Sequence, residues 1–434
     1  MKVGVVSLGC VKNRVDTEEM LSFLEKDGFQ FVNEPETAEV LIVNTCGFIA
    51  SAKEESIEAI LEMAQYKKTG ACRVLCVTGC LAQRYGDDLL KEIPEIDVLT
   101  GVSQYPQLAG YINEALGGVR AGSTERGEDF TGCGRVLTTA PYTAYIRIAE
   151  GCDNRCAYCA IPLIRGAFRS RPMGSVLAEM SQLAQKGARE QILIAQDTSR
   201  YGRDLEEASL SNLLIKAAEI PGIDWLRVLY CYPDETNREL IDTMSDLEKV
   251  CRYLDLPLQH ASPKVLKRMR RRGRIGESEE LLLYAREKGF ALRTTMIVGF
   301  PGETEQDFQQ LMDFCARMRF DRLGAFAFSP EEDTPAYHMK DKVPETEKQR
   351  RLHALLKMQQ QISHERNRLR IGRTDKVLIT GIQGDEYYGR SQWEAPDSDG
   401  LIKVKCLLPL LEGQMVNARI TGASAYDLEA EAIP

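Results

Sequence analysis

Short apolar runs alternate with helical segments along most of this chain, and this alternation limits the fold more than any other feature. The runs VGVVS (3–7), VLIVN (40–44) and VLCVT (74–78) are typical of buried strands, and segments with helical spacing separate them. Strands joined by helices at this interval form βαβ units, whose strands lie parallel in one sheet. We therefore predict an amino-terminal parallel α/β domain over residues 1–117, followed by a linker over residues 118–137.

The alternation continues through six further strand-like runs within residues 144–328, which are AYIRIA, EQILIA, WLRVLY, YLDLP, ALRTTMIV and RLGAFAF. Six βα units predict an open (β/α)6 barrel, built like a closed TIM barrel but with fewer strands. A very polar helical stretch over residues 345–370 has the pattern of a solvent-facing connector, and we assign residues 138–370 to the barrel with this connector. Short strands and turns over residues 371–434 predict a small five-stranded β-barrel.

Composition argues against a membrane protein and against a broadly basic one. The 434 residues carry a net charge of −9, and no run offers the roughly 18 uncharged apolar residues that cross a bilayer. The start, MKVGVVSLGC, lacks the features of a signal peptide, so we expect a cytoplasmic protein. In that reducing compartment thirteen cysteines, an odd number, favour metal binding or catalysis over a disulfide framework.

Three closely spaced cysteines follow the first predicted barrel strand. Cys152, Cys156 and Cys159 form a C-x3-C-x2-C pattern in EGCDNRCAYCAIP, with Tyr158 before the last cysteine. Three thiolates hold three irons of a 4Fe-4S cube and leave the fourth iron open to another ligand. The alternatives are a structural zinc site, which normally takes four protein ligands, and inert buried cysteines. The pattern predicts a redox-active iron–sulfur cluster at the mouth of the barrel.

A second set of cysteines, Cys10, Cys46 and Cys80, lies two or three residues beyond the three predicted amino-terminal strands. Because the carboxyl ends of parallel strands share one edge of a sheet, where ligands also collect, we expect the three thiolates to converge. Chance burial of single cysteines is the alternative. The remaining cysteines share no spacing, and Cys76 has the pattern of strand core.

The C-x3-C-x2-C pattern with its aromatic residue resembles the hallmark of the radical S-adenosylmethionine superfamily. Together with the second cysteine set and the terminal β-barrel, it resembles the methylthiotransferase family, whose last module is called a TRAM domain. This resemblance covers nearly the whole chain, and it implies two 4Fe-4S clusters, one on each cysteine set. It also implies S-adenosylmethionine as the source of a radical and of a methyl group, a low-potential electron donor, and a methylthio product in place of a C–H hydrogen.

Known branches of that family modify adenosine in tRNA or an aspartate of ribosomal protein S-twelve. Four fragments, SLGCVKNRVDTEE, DLPLQHAS, RMRRRG and RGAFRSRP, resemble the protein-modifying branch, although Val11 and Thr17 replace its usual proline and serine. The resemblance implies methylthiolation at the β-carbon of that aspartate, in the ribosomal protein or in the small ribosomal subunit. A tRNA adenosine methylthiotransferase and a non-catalytic RNA-binding iron–sulfur protein are the alternatives.

Charge in the last module bears on the same choice. Residues 371–434 hold six Lys or Arg and ten Asp or Glu, a balance of −4. An acidic surface repels phosphate and attracts a basic ribosomal protein, so we expect exposed acids such as Asp397 and Asp399 to face the substrate. A passive acidic surface is the alternative.

Several residues near the predicted barrel mouth are candidates for cofactor contact. Tyr158 flanks the cavity, and Gln196 and Gln259 follow the second and fourth barrel strands, on the rim where barrel sites form. Arg293 is a candidate partner for the methionine carboxylate, or equally for a structural carboxylate inside the barrel.

Two further segments have both a functional and a structural interpretation. Gly299 ends a strand in TTMIVGFPGETEQDF, which resembles the adenosine-contacting turn of radical enzymes, or is an ordinary turn with Thr304 as helix N-cap. The run KVLKRMRRRGR (264–274) is either a solvated helical face or a contact with ribosome or substrate.

Overall fold

The computed structural model describes residues 1–127 and 134–433 and divides the chain into two compact units. The first unit comprises residues 1–140, 145–171 and 329–337, and the second comprises residues 141–144, 172–328 and 338–434. Part of the predicted linker, residues 128–133, lies outside the described residues, as does Pro434. In the part of the chain that is described, no helix combines the length and the apolar character needed to cross a membrane.

The first unit contains a five-stranded parallel sheet with helices between its strands. The strands are β1 (Lys2–Ser7), β2 (Gln30–Phe31), β3 (Val40–Thr45), β4 (Val74–Gly79) and β5 (Val98–Leu99), and the helices are α1 (Val11–Lys26), α2 (Ala50–Thr69), α3 (Cys80–Glu92) and α4 (Leu108–Leu116). The strand order is β2-β1-β3-β4-β5, with parallel pairing throughout. The predicted parallel amino-terminal sheet is confirmed.

Helices cover both faces of this sheet. α2 and α3 pack with Leu41 and Leu75 on one face, while α1 and α4 pack with Ile42 and Cys76 on the other. Every residue of β3 and β4 is buried, which explains why these strands are continuous apolar runs without the alternation of a half-exposed strand.

The six predicted barrel strands all form. The elements after α4 are β6 (Thr143–Arg147), β7 (Ala149–Glu150), α5 (Ile161–Arg165), β8 (Arg169–Ser170), α6 (Met173–Gln185), β9 (Glu190–Ile194), α7 (Leu210–Ala218), β10 (Trp225–Val228), α8 (Arg238–Asp246), β11 (Tyr253–Asp255), α9 (Pro263–Arg268), α10 (Ile275–Glu287), β12 (Ala291–Val298), α11 (Glu305–Met318) and β13 (Arg322–Ala327). The six predicted barrel strands are β6, β9, β10, β11, β12 and β13. They form two three-stranded sheets, with the orders β10-β9-β6 and β11-β12-β13. A parallel bridge between Leu226 and Val250 links β10 to the segment that leads into β11.

A long helix and a closed β-barrel complete the second unit. They are α12 (Glu345–Arg368), β14 (Thr374–Gln383), β15 (Glu386–Ser391), β16 (Ile402–Lys405), β17 (Met415–Ala423) and β18 (Leu428–Ala432). The barrel closes in the order β14-β15-β16-β18-β17 around a core that includes Val377, Ile402 and Ile420. The predicted five-stranded terminal barrel is confirmed.

The expectation that residues 345–370 face solvent is wrong for one side of α12. The Arg351 guanidinium pairs with the Glu303 carboxylate at 2.9 Å, and both side chains are buried. The Gln359 Nε2 donates to the Phe320 carbonyl oxygen at 2.9 Å. Because the Arg351 guanidinium and the Gln359 Nε2 have partners in the protein, their burial is tolerated, and hydropathy alone does not reveal it.

Asp399 was expected to be exposed, and this expectation is also wrong. Its side chain is 2% exposed and accepts hydrogen bonds from the Tyr253 hydroxyl at 2.7 Å and the Ala395 amide at 2.8 Å. Glu394, whose side chain is equally buried, pairs with Arg322 at 3.3 Å. Part of the negative charge of the terminal barrel therefore faces barrel strands and not solvent.

A buried carboxylate with two guanidinium partners joins the terminal barrel to the larger barrel. Glu190 of β9 pairs with Arg227 of β10 at 3.0 Å and with Arg390 of β15 at 2.6 Å, and none of the three side chains is more than 5% exposed. Burial alone would raise the pKa of Glu190, but the charges of Arg390 and Arg227 outweigh it and lower this pKa to about 2.

We predict that Glu190→Gln destabilises the second unit by about 3–5 kcal/mol, because two guanidiniums stay buried without a counter-charge. The folded-state pKa is depressed from 4.5, so this carboxylate stabilises the protein above about pH 4.5 and loses its contribution as the pH falls toward about 2. Urea unfolding followed by circular dichroism measures both effects. The exposed pair of Arg317 and Glu279, 2.8 Å apart, supplies the control: Glu279→Gln should cost less than about 1 kcal/mol. Equal losses in the two variants would contradict the role of Glu190.

Candidate functional site

Three thiols lie at the carboxyl edge of the amino-terminal sheet, and we call Cys10, Cys46 and Cys80 the sheet-edge cysteines. β1, β3 and β4, the strands that precede them, are adjacent and parallel. Cys10 is the N-cap of α1, Cys46 directly follows β3, and Cys80 is the first residue of α3. Two of the three thiols therefore lie at helix N-termini.

Glycines allow the backbone at this edge to approach closely. Gly9 has φ +88°, and a Cβ atom there would lie 2.9 Å from the Cys46 Sγ. Gly79 has φ +95°, and a Cβ atom there would lie 2.6 Å from the Thr45 carbonyl oxygen. The SLGC and TGC fragments thus carry glycine where a larger residue would separate the cysteine-bearing turns.

Burial and mutual repulsion both oppose ionisation of the two inner thiols. Burial is the main cause that raises the pKa of Cys46 and that raises the pKa of Cys80 to about 12, although Arg165 opposes the rise at Cys80. The neighbouring Cys10 makes a smaller contribution to both increases. These thiols therefore stay protonated at neutral pH unless a bound metal supplies the free energy of ionisation.

A buried polar network surrounds Cys80. The Arg165 Nη2 donates to the Cys80 Sγ at 3.2 Å and to the Asn13 Oδ1 at 2.7 Å, and the Cys80 thiol lies 3.3 Å from the same oxygen. Asn13 is fixed in turn, because its Nδ2 donates to the Thr45 carbonyl oxygen at 2.8 Å. Asp16 balances the arginine charge at 2.7 Å. The sequence showed these residues only as parts of the fragments SLGCVKNRVDTEE and RGAFRSRP, which gave no reason to pair them.

Cys152, Cys156 and Cys159, which we call the loop cysteines, lie between β7 and α5. Cys156 is buried, and the other two are partly exposed. The Cys159 amide donates to the Cys156 carbonyl oxygen at 3.1 Å, and the Cys152 amide donates to the Gly166 carbonyl oxygen at 3.1 Å. Arg155 has φ +48°, a left-handed conformation that persists in non-glycine residues mostly where the surrounding structure enforces it.

The donor chemistry of both cysteine sets suits an iron–sulfur cube. Across residues 1–127 and 134–433, no three His, Cys, Asp or Glu side chains are arranged to hold a single metal ion as they stand. A 4Fe-4S cube distributes its thiolates over separate irons, so its ligands need not meet at one point. Three thiols in each of two places, both within the first unit, fit such a cube.

The predicted rim residues lie at strand ends. Gln196 follows β9, and Gln259 follows β11 with φ +72° and a backbone bridge to Met296 of β12. Tyr230, just after β10, also has a positive φ of 64°. Left-handed backbone at the carboxyl ends of barrel strands is typical of binding sites. Tyr158 is partly exposed within the segment of the loop cysteines.

Arg293 already has a protein partner. Its Nη1 lies 2.9 Å from the Asp255 carboxylate, which is fully buried, and its Nε lies 3.9 Å from Asp399. This geometry supports the structural interpretation of Arg293, in which it balances carboxylates inside the barrel, over contact with a cofactor carboxylate.

The turn that contains Gly299 is tightly held. The amides of Gly299 and Phe300 donate to the Glu303 carboxylate at 2.6 and 3.0 Å, and Gly299 has φ +74°. Thr304 is the N-cap of α11 and forms a capping box with Asp307. The ordinary turn interpretation, with Thr304 as the helix N-cap, is therefore realised.

The basic run 264–274 is partly structural. The Arg271 Nη2 donates to the Pro257 carbonyl oxygen at 2.6 Å, and its guanidinium lies 4.3 Å from the centre of the Tyr232 ring. Arg272 remains 57% exposed. The run is therefore neither a uniform solvated face nor a fully exposed patch.

Comparison with known proteins agrees with this architecture. Family models match at residues 2–101 (uncharacterized protein family UPF0004), 146–315 (radical SAM superfamily) and 371–433 (TRAM domain). The fold and the loop cysteines thus define the class as a radical SAM enzyme.

Curated relatives narrow the class. The ribosomal protein uS12 methylthiotransferase RimO of Desulforudis audaxviator is 47% identical over 100% of this chain and 97% of its own length. The protein of the same name from Desulfitobacterium hafniense is 48% identical over 100% of this chain and 98% of its own length. The chain belongs to the ribosomal protein uS12 methylthiotransferase family, which confirms the resemblance seen in its sequence and sets aside a non-catalytic iron–sulfur protein.

Solved structures show the same fold at low sequence identity. The radical S-adenosylmethionine methyltransferase TsrM from Kitasatospora setae, with cobalamin and a [4Fe-4S] cluster bound, has a TM-score of 0.56 at 18% identity and covers 77% of this chain and 76% of its own. The cobalamin-dependent radical enzyme OxsB, with aqua-cobalamin bound, has a TM-score of 0.52 at 12% identity and covers 77% and 54%. These likenesses concern the fold alone.

We predict that iodoacetamide alkylates the sheet-edge cysteines of metal-free protein in the order Cys10, then Cys46, then Cys80. Cys10 is exposed, whereas Cys46 and Cys80 are 8% and 6% exposed and have raised pKa values, so little thiolate is accessible. Peptide mapping by mass spectrometry at about pH 8, near the ordinary cysteine pKa of about 8.5, gives the three rates. Urea-unfolded protein is the control, where the rates should become similar. Equal rates for Cys80 and Cys10 in folded protein would contradict the burial of the inner thiols.

Proposed function

We propose that this protein replaces a hydrogen at the β-carbon of an aspartate in ribosomal protein uS12 by a methylthio group, using radical S-adenosylmethionine chemistry. The observation that carries this proposal is the 47–48% identity over the full chain to relatives that are named for that reaction. The six cysteines of the two sets support it. The sheet-edge cysteines lie at the carboxyl ends of the parallel strands β1, β3 and β4, and the loop cysteines follow the first barrel strand, β6, in the chain.

The two cysteine sets have different tasks in this proposal. The loop cysteines hold a 4Fe-4S cluster with an open iron for S-adenosylmethionine, and the sheet-edge cysteines hold a second 4Fe-4S cluster associated with sulfur. The cluster on the loop cysteines, when bound together with S-adenosylmethionine, supplies a radical able to remove hydrogen from an unactivated carbon. A low-potential reductant is needed as the electron donor, since clusters of this kind reach roughly −400 to −700 mV.

The chain's own residues shape the cofactor site. Tyr158, Gln196, Gln259 and the turn at Gly299 are the candidate contacts for S-adenosylmethionine, and their positions at strand ends and in the cysteine loop support this. Arg293 is the weakest candidate, since Asp255 already binds its guanidinium.

Domain boundaries follow from the same proposal. We assign residues 1–117 to the amino-terminal cluster domain, 118–137 to a linker, 138–370 to the radical barrel with α12, and 371–434 to the TRAM-like barrel. The family-model matches fall inside three of these ranges, which supports the assignment.

Surface charge favours a basic protein as substrate. Asp399 and Glu394 are buried, but Asp385, Asp397 and Glu412 of the terminal barrel are exposed. Exposed acids attract a basic ribosomal protein, alone or in the small subunit, and repel phosphate. The exposed part of the basic run 264–274 is the observation that keeps tRNA as the second candidate substrate.

We predict that anaerobically reconstituted protein holds about eight irons, because each cysteine set accommodates one 4Fe-4S cube. Replacing the three loop cysteines by Ala should halve the iron and abolish 5'-deoxyadenosine formation. Replacing the three sheet-edge cysteines should also halve the iron but leave cofactor cleavage. Iron analysis and chromatography with mass detection of the nucleoside give the readouts.

Cys406→Ala is the matched control for these variants, because Cys406 is partly exposed and shares no spacing with either set. It should retain about eight irons. Circular dichroism must match that of the parent for each variant. Cofactor cleavage by protein without the loop cysteines would show that the radical site is assigned incorrectly.

We predict that the reconstituted enzyme adds a methylthio group to purified uS12 or small ribosomal subunits and adds none to adenosine-modified tRNA. Binding to uS12 should weaken with salt and with Asp385→Lys and Glu412→Lys, since both charge changes reduce attraction to a basic partner. Asp313→Lys, at an exposed position on α11, controls for the charge change itself. Intact-mass analysis of each substrate shows which one gains the methylthio group. A mass increase on tRNA alone would contradict uS12 as the substrate and favour tRNA, the second candidate.

A further inference from the structure

The helix that follows the loop cysteines reaches the sheet-edge cysteines. α5 begins at Ile161, two residues after Cys159, and ends at Arg165. The Arg165 side chain is 2% exposed, and its Nη2 lies 3.2 Å from the Cys80 Sγ. Ile164 of the same helix packs in a buried cluster with Cys80. One short segment therefore carries ligands of one proposed cluster and touches a ligand of the other.

Three contacts, made by the two nitrogens at the ends of the guanidinium fork, fix the orientation of Arg165. Its Nη1 pairs with the Asp16 carboxylate at 2.7 Å, and its Nη2 donates to the Asn13 Oδ1 at 2.7 Å as well as to the Cys80 Sγ. The planar guanidinium makes these contacts together, whereas a lysine ammonium is a single point charge that cannot span both sides.

Carboxylates around Arg165 are shared with a second arginine. Arg147 pairs with Asp16 at 2.5 Å and with Glu150 at 3.0 Å, and Glu150 also lies 3.5 Å from Arg165. Asp16 therefore keeps Arg147 as a positively charged partner when Arg165 is replaced. Arg165, in addition, donates to the Cys80 sulfur.

We propose that Arg165 is a positioning residue for the amino-terminal cluster, which holds the Cys80 sulfur and raises the reduction potential of that cluster. This inference rests on the proposed function, because it requires a cluster on the sheet-edge cysteines. A hydrogen bond to a ligand sulfur and a buried positive charge both stabilise the reduced, more negative state of an iron–sulfur cluster.

The test uses protein in which the three loop cysteines are replaced by Ala, so that the amino-terminal cluster alone is observed. Arg165→Gln should lower its midpoint potential in an EPR-monitored titration and speed loss of iron to a chelator by about 10–100-fold. Arg165→Lys should give an intermediate potential, since it keeps the charge but loses the fork. Arg126→Gln is the control, because Arg126 donates to the Leu163 carbonyl oxygen of α5 and should leave the potential unchanged.

Each outcome decides a specific point. A folded Arg165→Gln protein with the parent potential would overturn the proposal. If that variant fails to fold, Arg165→Lys decides instead, and the parent potential in the lysine variant would overturn it equally. Absence of iron in the background without loop cysteines would overturn both this proposal and the two-cluster assignment. A shifted potential there, combined with no methylthio product on uS12 from reconstituted protein that keeps all six cysteines, would leave Arg165 in its role and overturn only the substrate.

Discussion

Parallel strands bring all their carboxyl ends to one edge of a sheet, and the proposed chemistry depends on this constraint. In the amino-terminal sheet it places Cys10, Cys46 and Cys80 together although they are far apart in sequence. Gly9 and Gly79 let the turns approach, since each has a positive φ and no room for a side chain. The same constraint acts in the barrel, where the loop cysteines follow the first strand.

Buried ion pairs hold the side chains near these strand ends in one arrangement. Arg165 and Asp16 lie in the first unit, and Glu190 with Arg227 and Arg390 lies in the second. Burying such charges is costly unless each is paired and hydrogen-bonded, so these networks favour one arrangement of the chain over others. Around Cys80 the network also presents a hydrogen-bond donor to the sulfur that the proposed amino-terminal cluster would bind.

The sequence predicts those features that have a short repeat or a dense local pattern. Buried parallel strands are apolar runs, so the three central strands of the amino-terminal sheet, the six barrel strands and the five-stranded barrel could be predicted. The two-residue edge strands β2 and β5 are too short to give such a run. The cysteine sets could be found because one is closely spaced and the other recurs after strands. Arg165 and Asp16 could not be paired, nor the burial of Asp399 foreseen, because each contact joins distant residues and leaves no periodic signal. α12 was misjudged on one face for a related reason: its buried polar groups have the same hydropathy as exposed ones.

In the function that we propose, this chain modifies uS12 and needs both cysteine sets to do so. The most direct measurement is the intact mass of uS12 isolated from a strain that lacks this protein, complemented with the parent chain or with the chain lacking the sheet-edge cysteines. We expect uS12 to be heavier by one methylthio group in place of one hydrogen only when the parent chain is present. Fully modified uS12 in the deletion strain, or in the strain with the sheet-edge cysteines replaced, would contradict it.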